Sequence, residues 1–400
     1  VRDRPRSSDT SAVVWGESLT AYNFGEQHPM HPSRLDLTAR LATELGLFER
    51  PGVQRIEPHV ATDAELATVH DPAYIDAVRR VSDDPSVPDE TRGLGTTDDP
   101  AFAGMHEASA RIVGGSLQAA DAIVDGTATR AVNFAGGMHH AARHRASGFC
   151  IYNDAAAAVA RLLDRGVSRV LYIDVDAHHG DGTESIFWDE PRVMTISLHE
   201  TGLALFPGTG FANDIGGAEA QGSAVNVALP PTTGDGAWLR AFHAVVPQLA
   251  RAFAPEVIVS QHGCDSHFQD PLTDLRTSVD AQRQVALDVR DLATDLCEGR
   301  WLATGGGGYS TTAVVPRVWA HLVGIVTGDP VPVQAPTPRG WQDYVLERYG
   351  KEAPLWMTDD VDLWWRSWEV GYDPNDDVDR AVMATRKELF PLHGLDPWFD

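Results

Sequence analysis

The chain has 400 residues, and 57 acidic side chains against 32 Lys and Arg leave a net charge of −25, which disfavours nucleic acid as a partner because its phosphates would be repelled. A hydrophobic content of 43% with 22% charged residues excludes a wholly disordered chain, and the length suits a large α/β enzyme built as one unit with decoration. No apolar run approaches the roughly 20 residues that span a bilayer, the opening VRDRPRSSDT has no apolar signal core behind it, and Cys150, Cys264 and Cys297 are too scattered for a disulfide framework or a four-thiolate zinc site. The expectation is a cytoplasmic protein with no membrane partner.

The first third of the chain reads as mostly helical, with a long helix over 102–124 where Ala, Ile and Leu recur at helical spacing. From about Thr127 to Ser310, short β-branched runs alternate with longer Ala- and Leu-rich stretches, the pattern of a parallel sheet with crossover helices. Strands are predicted at 129–134, 169–175, 192–198, 224–229, 256–261 and 301–304. Helices are predicted at 154–163, 236–253, 279–297 and 311–326. The proline-rich DPVPVQAPTPR, residues 329–339, marks a boundary. It divides a catalytic body, 1–328, from an extension, 329–400. Six of the 11 tryptophans (Trp341, Trp356, Trp364, Trp365, Trp368 and Trp398) lie in the last 60 residues. The extension is therefore expected to pack on the body, with a dimer contact or a lid as alternatives, so both a monomer and a homodimer stay open.

Residues able to bind a metal or move a proton gather at predicted strand ends, where parallel sheets place their ligands. In LYIDVDAHHGDG (171–182), Asp174 and Asp176 lie two apart and share a face, and His178 continues that parity. Carboxylates and an imidazole so close together suit a divalent ion better than a helix cap. In FAGGMHHAARHRASGFC (134–150), the adjacent His139 and His140 form an acid/base pair whose two rings neighbouring carboxylates can set at different pKa values. The third strand end, VIVSQHGCDSHFQDP (257–271), offers Asp265, His262 and His267 for a third ligand, and spacing alone does not choose among them. In LATGGGGYS (302–310) the P-loop Lys is absent. The glycine run instead lets backbone approach a substrate, while Tyr309 donates to an oxyanion.

The motifs GGMHHA, SGFCIYND, YIDVDAHHGDG, LFPGTG, HGCDSHFQDPL and GGGGYS, in this order, resemble the zinc-dependent histone deacetylase superfamily, most nearly its bacterial acetoin-utilisation branch. The resemblance runs from about Tyr22 to Gly328. It implies the arginase/deacetylase fold, a three-layer α/β domain around a mainly parallel eight-stranded sheet. It places the metal ligands on Asp176, His178 and Asp265, and the catalytic histidines on His139 and His140, backed by Asp174 and Asp181. Tyr309 becomes the oxyanion donor. Gly148, Phe149, Phe206 and Gly307 line the acyl-lysine tunnel, and Asp98 holds substrate backbone at its rim. A structural K+ site is implied at Asp174, Asp176, His178, Ser197 and Leu198, while a second monovalent-ion site, near Ser223, is left open. The implied activity is metal-dependent hydrolysis of N-acetyl-lysine in proteins with Zn2+, or Fe2+, as the ion. A small-molecule amide hydrolase acting on acetylpolyamines or a biosynthetic N-acyl intermediate is the alternative, and a non-catalytic acyl-lysine binding module is the alternative of a different class.

Overall fold

In the computed structural model, which describes residues 10–400, eight strands form one sheet. They are β1 (Ser11–Val14), β2 (Val53–Ile56), β3 (Arg130–Asn133), β4 (Val170–Asp174), β5 (Val193–Glu200), β6 (Ala224–Leu229), β7 (Val257–Gln261) and β8 (Trp301–Thr304). Their order is β2-β1-β3-β8-β7-β4-β5-β6, and every neighbouring pair is parallel. Strands such as VLYID and VIVSQ are buried along their whole length, as the interior of a parallel sheet covered on both faces requires. The architecture is α/β, a helix-flanked sheet in one domain. The sheet is wholly rather than mainly parallel.

The six predicted strands form within one or two residues of their expected limits. The first third is not purely helical, because β1 and β2 lie in it. Both lie outside the strand–helix alternation of residues 127–310 by which the equally short β3 and β8 are recognised, and β2 is half exposed along VQRI. The helix expected from Thr311 begins at Val315, where Pro316 takes up the first turn.

Helix Met105–Val124 packs on helix Asp154–Asp164 and on β1 and β3, while helices Val279–Cys297 and Val315–Val326 pack on each other and on β7 and β3 respectively. Residues 329–400 lie against this body at several places. Helix Arg339–Tyr349 meets helix Ser33–Glu44, with Trp341 fully buried and its indole N–H donating to the Leu37 carbonyl at 3.0 Å. Helix Asp377–Leu389 packs beside β6, the last strand of the sheet, and the Thr385 hydroxyl donates to the Asn226 carbonyl at 2.5 Å. An edge strand is thus covered. Arg240 in helix Asp235–Phe253 forms a buried bidentate pair with Asp379, at 2.6 and 2.8 Å.

Of the six tail tryptophans, Trp341 and Trp368 are buried and Trp365 stacks on His243, whereas Trp356, Trp364 and Trp398 are 53%, 76% and 47% exposed. Only half of the set is therefore committed to the body. No helix among the described residues is long and apolar enough to cross a membrane.

Removing residues 340–400 uncovers β6, takes away the apolar face of helix Asp377–Leu389 that packs beside it, and strips Arg240 of Asp379 and of the Arg366, Ser367 and Gly371 carbonyls that cover it. The truncated protein is expected to be insoluble or to melt well below the full chain. A soluble truncation with an unchanged melting temperature would contradict this.

Candidate active site

The four central strands β3, β8, β7 and β4 stop level with one another, since Asn133 pairs with Thr304, Thr304 with Gln261 and Gln261 with Asp174. Loops leaving these carboxyl ends carry His139 and His140, the run Gly305 to Tyr309, Asp265, and Asp176 with His178. Segments remote in sequence are thereby delivered to one place, where open parallel sheets bind their ligands.

One ligand atom from each of Asp176, His178 and Asp265 lies within 4.8 Å of the others, and all three residues are buried. His178 Nδ1 stands 3.1 Å from Asp176 Oδ1 and 2.9 Å from Asp265 Oδ2. Burial, and next the charge of Asp176, push the Asp265 carboxyl up to about 6. Two buried carboxylates and one imidazole converging in this way fit a divalent cation, which would relieve that repulsion. His262 and His267 do not join the group. His262 Nε2 meets Ser260 Oγ at 2.8 Å, and His267 Nε2 meets Asp359 at 2.9 Å. The group is clamped by Gln261 Nε2 and the Gly307 N–H, each donating to Asp176 Oδ2 at 2.7 Å, and by the Ala177 N–H donating to Asp265 Oδ1 at 2.8 Å. A Cβ at Gly307 would fall 2.0 Å from Asp265 Oδ2, so only glycine lets the backbone come this close.

Beside this group, His139 Nδ1 is 2.8 Å from Asp174 Oδ2 and His140 Nδ1 is 2.6 Å from Asp181 Oδ1, with the two Nε2 atoms 3.1 Å apart. The environments of the two rings differ. Burial depresses the His139 pKa, but Asp174 and Asp176 outweigh it and raise the ring to about 9. His140 is lowered to about 4, by burial first and then by the positive charge of His139, against which Asp181 is insufficient. One ring holds its proton while the other offers a lone pair, which is the division that acid/base chemistry uses. The loop is set by Asp154, which accepts the N–H groups of Gly137 and Met138 at 2.9 Å each.

Aromatic side chains stand over these groups. The Phe206 ring is 5.1 Å from His140 and 6.4 Å from His178, and the Phe149 ring meets Tyr309 edge-on at 5.7 Å. Gly148 has φ +54°, and a Cβ there would lie 2.4 Å from the His140 ring. Phe149 itself is held at φ +68°. Burial keeps the Tyr309 phenol protonated far above the usual range, so it is available as a donor. Asp98 is exposed. It connects to this cluster through His28, whose Nε2 donates to the Asp98 carbonyl at 3.1 Å and whose ring packs on Phe149 at 4.6 Å. Ser197 pairs with Asp174 in the β4–β5 register, its hydroxyl 2.8 Å from His199 Nδ1, and Leu198 follows it fully buried.

Sequence reasoning missed several groups that position these residues. Buried Arg34 donates from Nε to the Gly308 carbonyl at 2.7 Å and from Nη2 to that of Gly306, and its guanidinium lies 5.5 Å from the Tyr309 ring centroid. The Tyr172 hydroxyl donates to Asp174 Oδ2 at 2.7 Å, and that of Tyr22 to the Phe149 carbonyl at 2.7 Å. Tyr172 was recoverable, since it shares parity with Asp174 on β4. Arg34 and Tyr22 lie more than a hundred residues from their partners and carry no local signal.

A wholly parallel sheet whose carboxyl edge gathers a buried Asp–His–Asp group and a carboxylate-backed histidine pair fits the class of metal-dependent hydrolases. Comparison with known proteins narrows that class: a histone deacetylase domain is matched over residues 28–326, and the chain belongs to the histone deacetylase family, a family of deacetylase-type hydrolases. Within it the similarity lies with the AcuC branch. The chain is 38% identical over 391 residues to the acetoin utilization protein AcuC of Bacillus subtilis (strain 168), covering 94% of this chain and 98% of that protein. It is 39% identical to AcuC of Staphylococcus xylosus, covering 84% and 88%, and 40% identical to AcuC of Staphylococcus aureus (strain MSSA476), covering 79% and 81%.

Replacing Asp176 with Ala removes one of three charged or imidazole donors and frees Gln261 and the Gly307 N–H. Metal content and activity are expected to fall together. Metal analysis that finds the variant fully loaded and active would remove Asp176 from the ligand set.

Proposed function

We propose that the protein hydrolyses the amide of N-acetyl-lysine in proteins, releasing lysine and acetate. The observation that carries this reading is the edge-on contact of Phe206 with His140 and of Phe149 with Tyr309, because apolar walls beside proton-transfer groups suit an aliphatic stem that bears an amide. Asp176, His178 and Asp265 would hold the ion, Zn2+ or Fe2+, which when bound polarises the amide carbonyl and acidifies a water molecule. In this reading backbone or side-chain oxygens of Asp174, Asp176, His178, Ser197 and Leu198 would hold a structural K+ ion.

The chain's own residues do the rest. His140, oriented by Asp181 at Nδ1, accepts the proton of the attacking water at Nε2 and passes it to the departing amine nitrogen. His139, locked to Asp174, keeps its proton and steadies the negative charge that builds beside it. Tyr309 donates its hydroxyl to the oxyanion of the tetrahedral intermediate. Phe149 and Phe206 exclude water from the stem, Gly148 and Gly307 let the backbone come close, and Asp98 receives substrate backbone at the rim.

A second reading, hydrolysis of a small acetylated amine such as an acetylpolyamine, is favoured by the net charge of −25, which draws in cations. Turnover of an acetyl-lysine peptide compared with an acetylpolyamine separates the two. The absence of turnover on either, with metal bound, would favour a non-catalytic binding module.

His140→Ala is expected to nearly abolish turnover with metal retained, and His139→Ala to be harmful but less so; the reverse order would exchange the two roles. Tyr309→Phe removes one hydroxyl and leaves the ring, so turnover is expected to fall ~10²–10³-fold with substrate binding little changed. Steady-state kinetics beside a melting curve checks this, and near-full turnover, or activity lost only in step with stability, would take Tyr309 off the catalytic list.

A further inference from the structure

The extension reaches the loop that carries Asp265 through the side chain of Asp359. Arg317 and His321 of helix Val315–Val326 hold its backbone, Arg317 Nη1 donating to the Thr358 carbonyl at 3.0 Å and His321 Nε2 to that of Met357 at 3.0 Å. The next residue, Asp359, donates its N–H to Asp280 Oδ2 at 2.9 Å. Its carboxylate is fully used. Oδ1 lies 2.9 Å from Arg317 Nη2, and Oδ2 accepts from the Val279 N–H at 2.9 Å and from His267 Nε2 at 2.9 Å. Burial works against the charge, but the His267 bond and Arg317 hold the Asp359 carboxyl well below the usual range.

His267 is fully buried. The Gln269 N–H donates to its Nδ1 at 3.0 Å, which leaves the ring proton on Nε2, aimed at Asp359. The loop around His267 serves the site at both ends. Asp265 belongs to the cation donor set, and Asp270 Oδ2 accepts the Tyr309 N–H at 2.7 Å while its own N–H donates to the His267 carbonyl at 2.8 Å. An anchor for the extension alone would need only Arg317, Asp280 and Val279. The bond to His267 adds a grip on the one loop that orients both a metal donor and the backbone of the phenol.

We infer that Asp359 is a positioning residue: through His267 it fixes the 265–270 loop, so that the C-terminal extension sets the geometry of the active site rather than merely covering the body. This rests on the reading of Asp265 and Tyr309 given above. Groups that orient metal ligands from outside the donor set typically change metal affinity or activity 10–100-fold when removed.

The test uses the full-length protein and Zn(II), with its dissociation constant measured by competition against a chromophoric chelator alongside kcat, KM and the melting temperature. Asp359→Ala and His267→Ala are each expected to weaken zinc binding about 10–100-fold and to lower kcat with KM little changed. The double variant should show no further loss, since the two residues act in series. Arg240→Met, which loosens the extension elsewhere, is expected to lower the melting temperature and leave zinc affinity as in the wild type. Wild-type zinc affinity in folded Asp359→Ala overturns the inference, and so do losses that multiply in the double variant or an equal zinc defect in Arg240→Met. If Asp359→Ala does not fold, His267→Leu decides by the same zinc measurement, unchanged affinity overturning the inference. Wild-type protein that binds no zinc, or Asp176→Ala that binds it normally, overturns the underlying site reading instead.

Discussion

Two buried carboxylates, Asp176 and Asp265, share one small space, and the rest of the structure is arranged to keep them there. Removing a charge from water costs several kcal/mol per ion even after relaxation. The fold offsets that with donors: Gln261 Nε2 and the Gly307 N–H on Asp176, the Ala177 N–H on Asp265, and His178 between the two. These donors come from the end of β7 and from the loops that follow β8 and β4. They converge because β8, β7 and β4 end at the same level in a parallel sheet, which delivers every outgoing loop to one edge.

The same negative charge organises the histidine pair. Asp174 and Asp176 hold His139 protonated, and that cation in turn helps keep its neighbour His140 neutral, so the two rings are divided by their sequence of neighbours and not by any difference in their own chemistry. A lone buried histidine would simply lose its charge.

The sheet and much of the candidate site were legible in the sequence for a local reason. Runs such as LYIDVDAHHG carry both the strand signal and the polar residues that follow it, so parity along one segment aligns Asp174, Asp176 and His178 without any knowledge of the fold. What the sequence did not yield depends on context and distance. β1 and β2 lie outside the strand–helix alternation that marks the equally short β3 and β8. Asp265, His262 and His267 were equivalent by spacing, so Asp265 was named through the family resemblance alone; the path of the loop sends it inward, turns His262 toward Ser260 and turns His267 toward Asp359. Arg34, 274 residues from the Gly308 carbonyl it binds, could not have been found from its neighbours.

The extension was legible as a proline-rich boundary followed by a cluster of tryptophans, and tryptophans mark apolar contact rather than its purpose. Its packing is instead governed by charge: Arg240 with Asp379 beside β6, and Arg317 with Asp359 behind the 265–270 loop. Buried pairs of this kind contribute little net stability compared with apolar residues of similar volume, yet breaking one is costly because it strands a charge. They therefore act as registration marks, tolerating one placement of the extension and penalising others. That is the property a segment would need to hold the 265–270 loop in the way inferred above, because a group displaced by 1 Å from a reacting centre loses much of its effect. Apolar burial by Trp341 and Trp368 then supplies adhesion without dictating position, and the charged contacts dictate position at little net gain in adhesion.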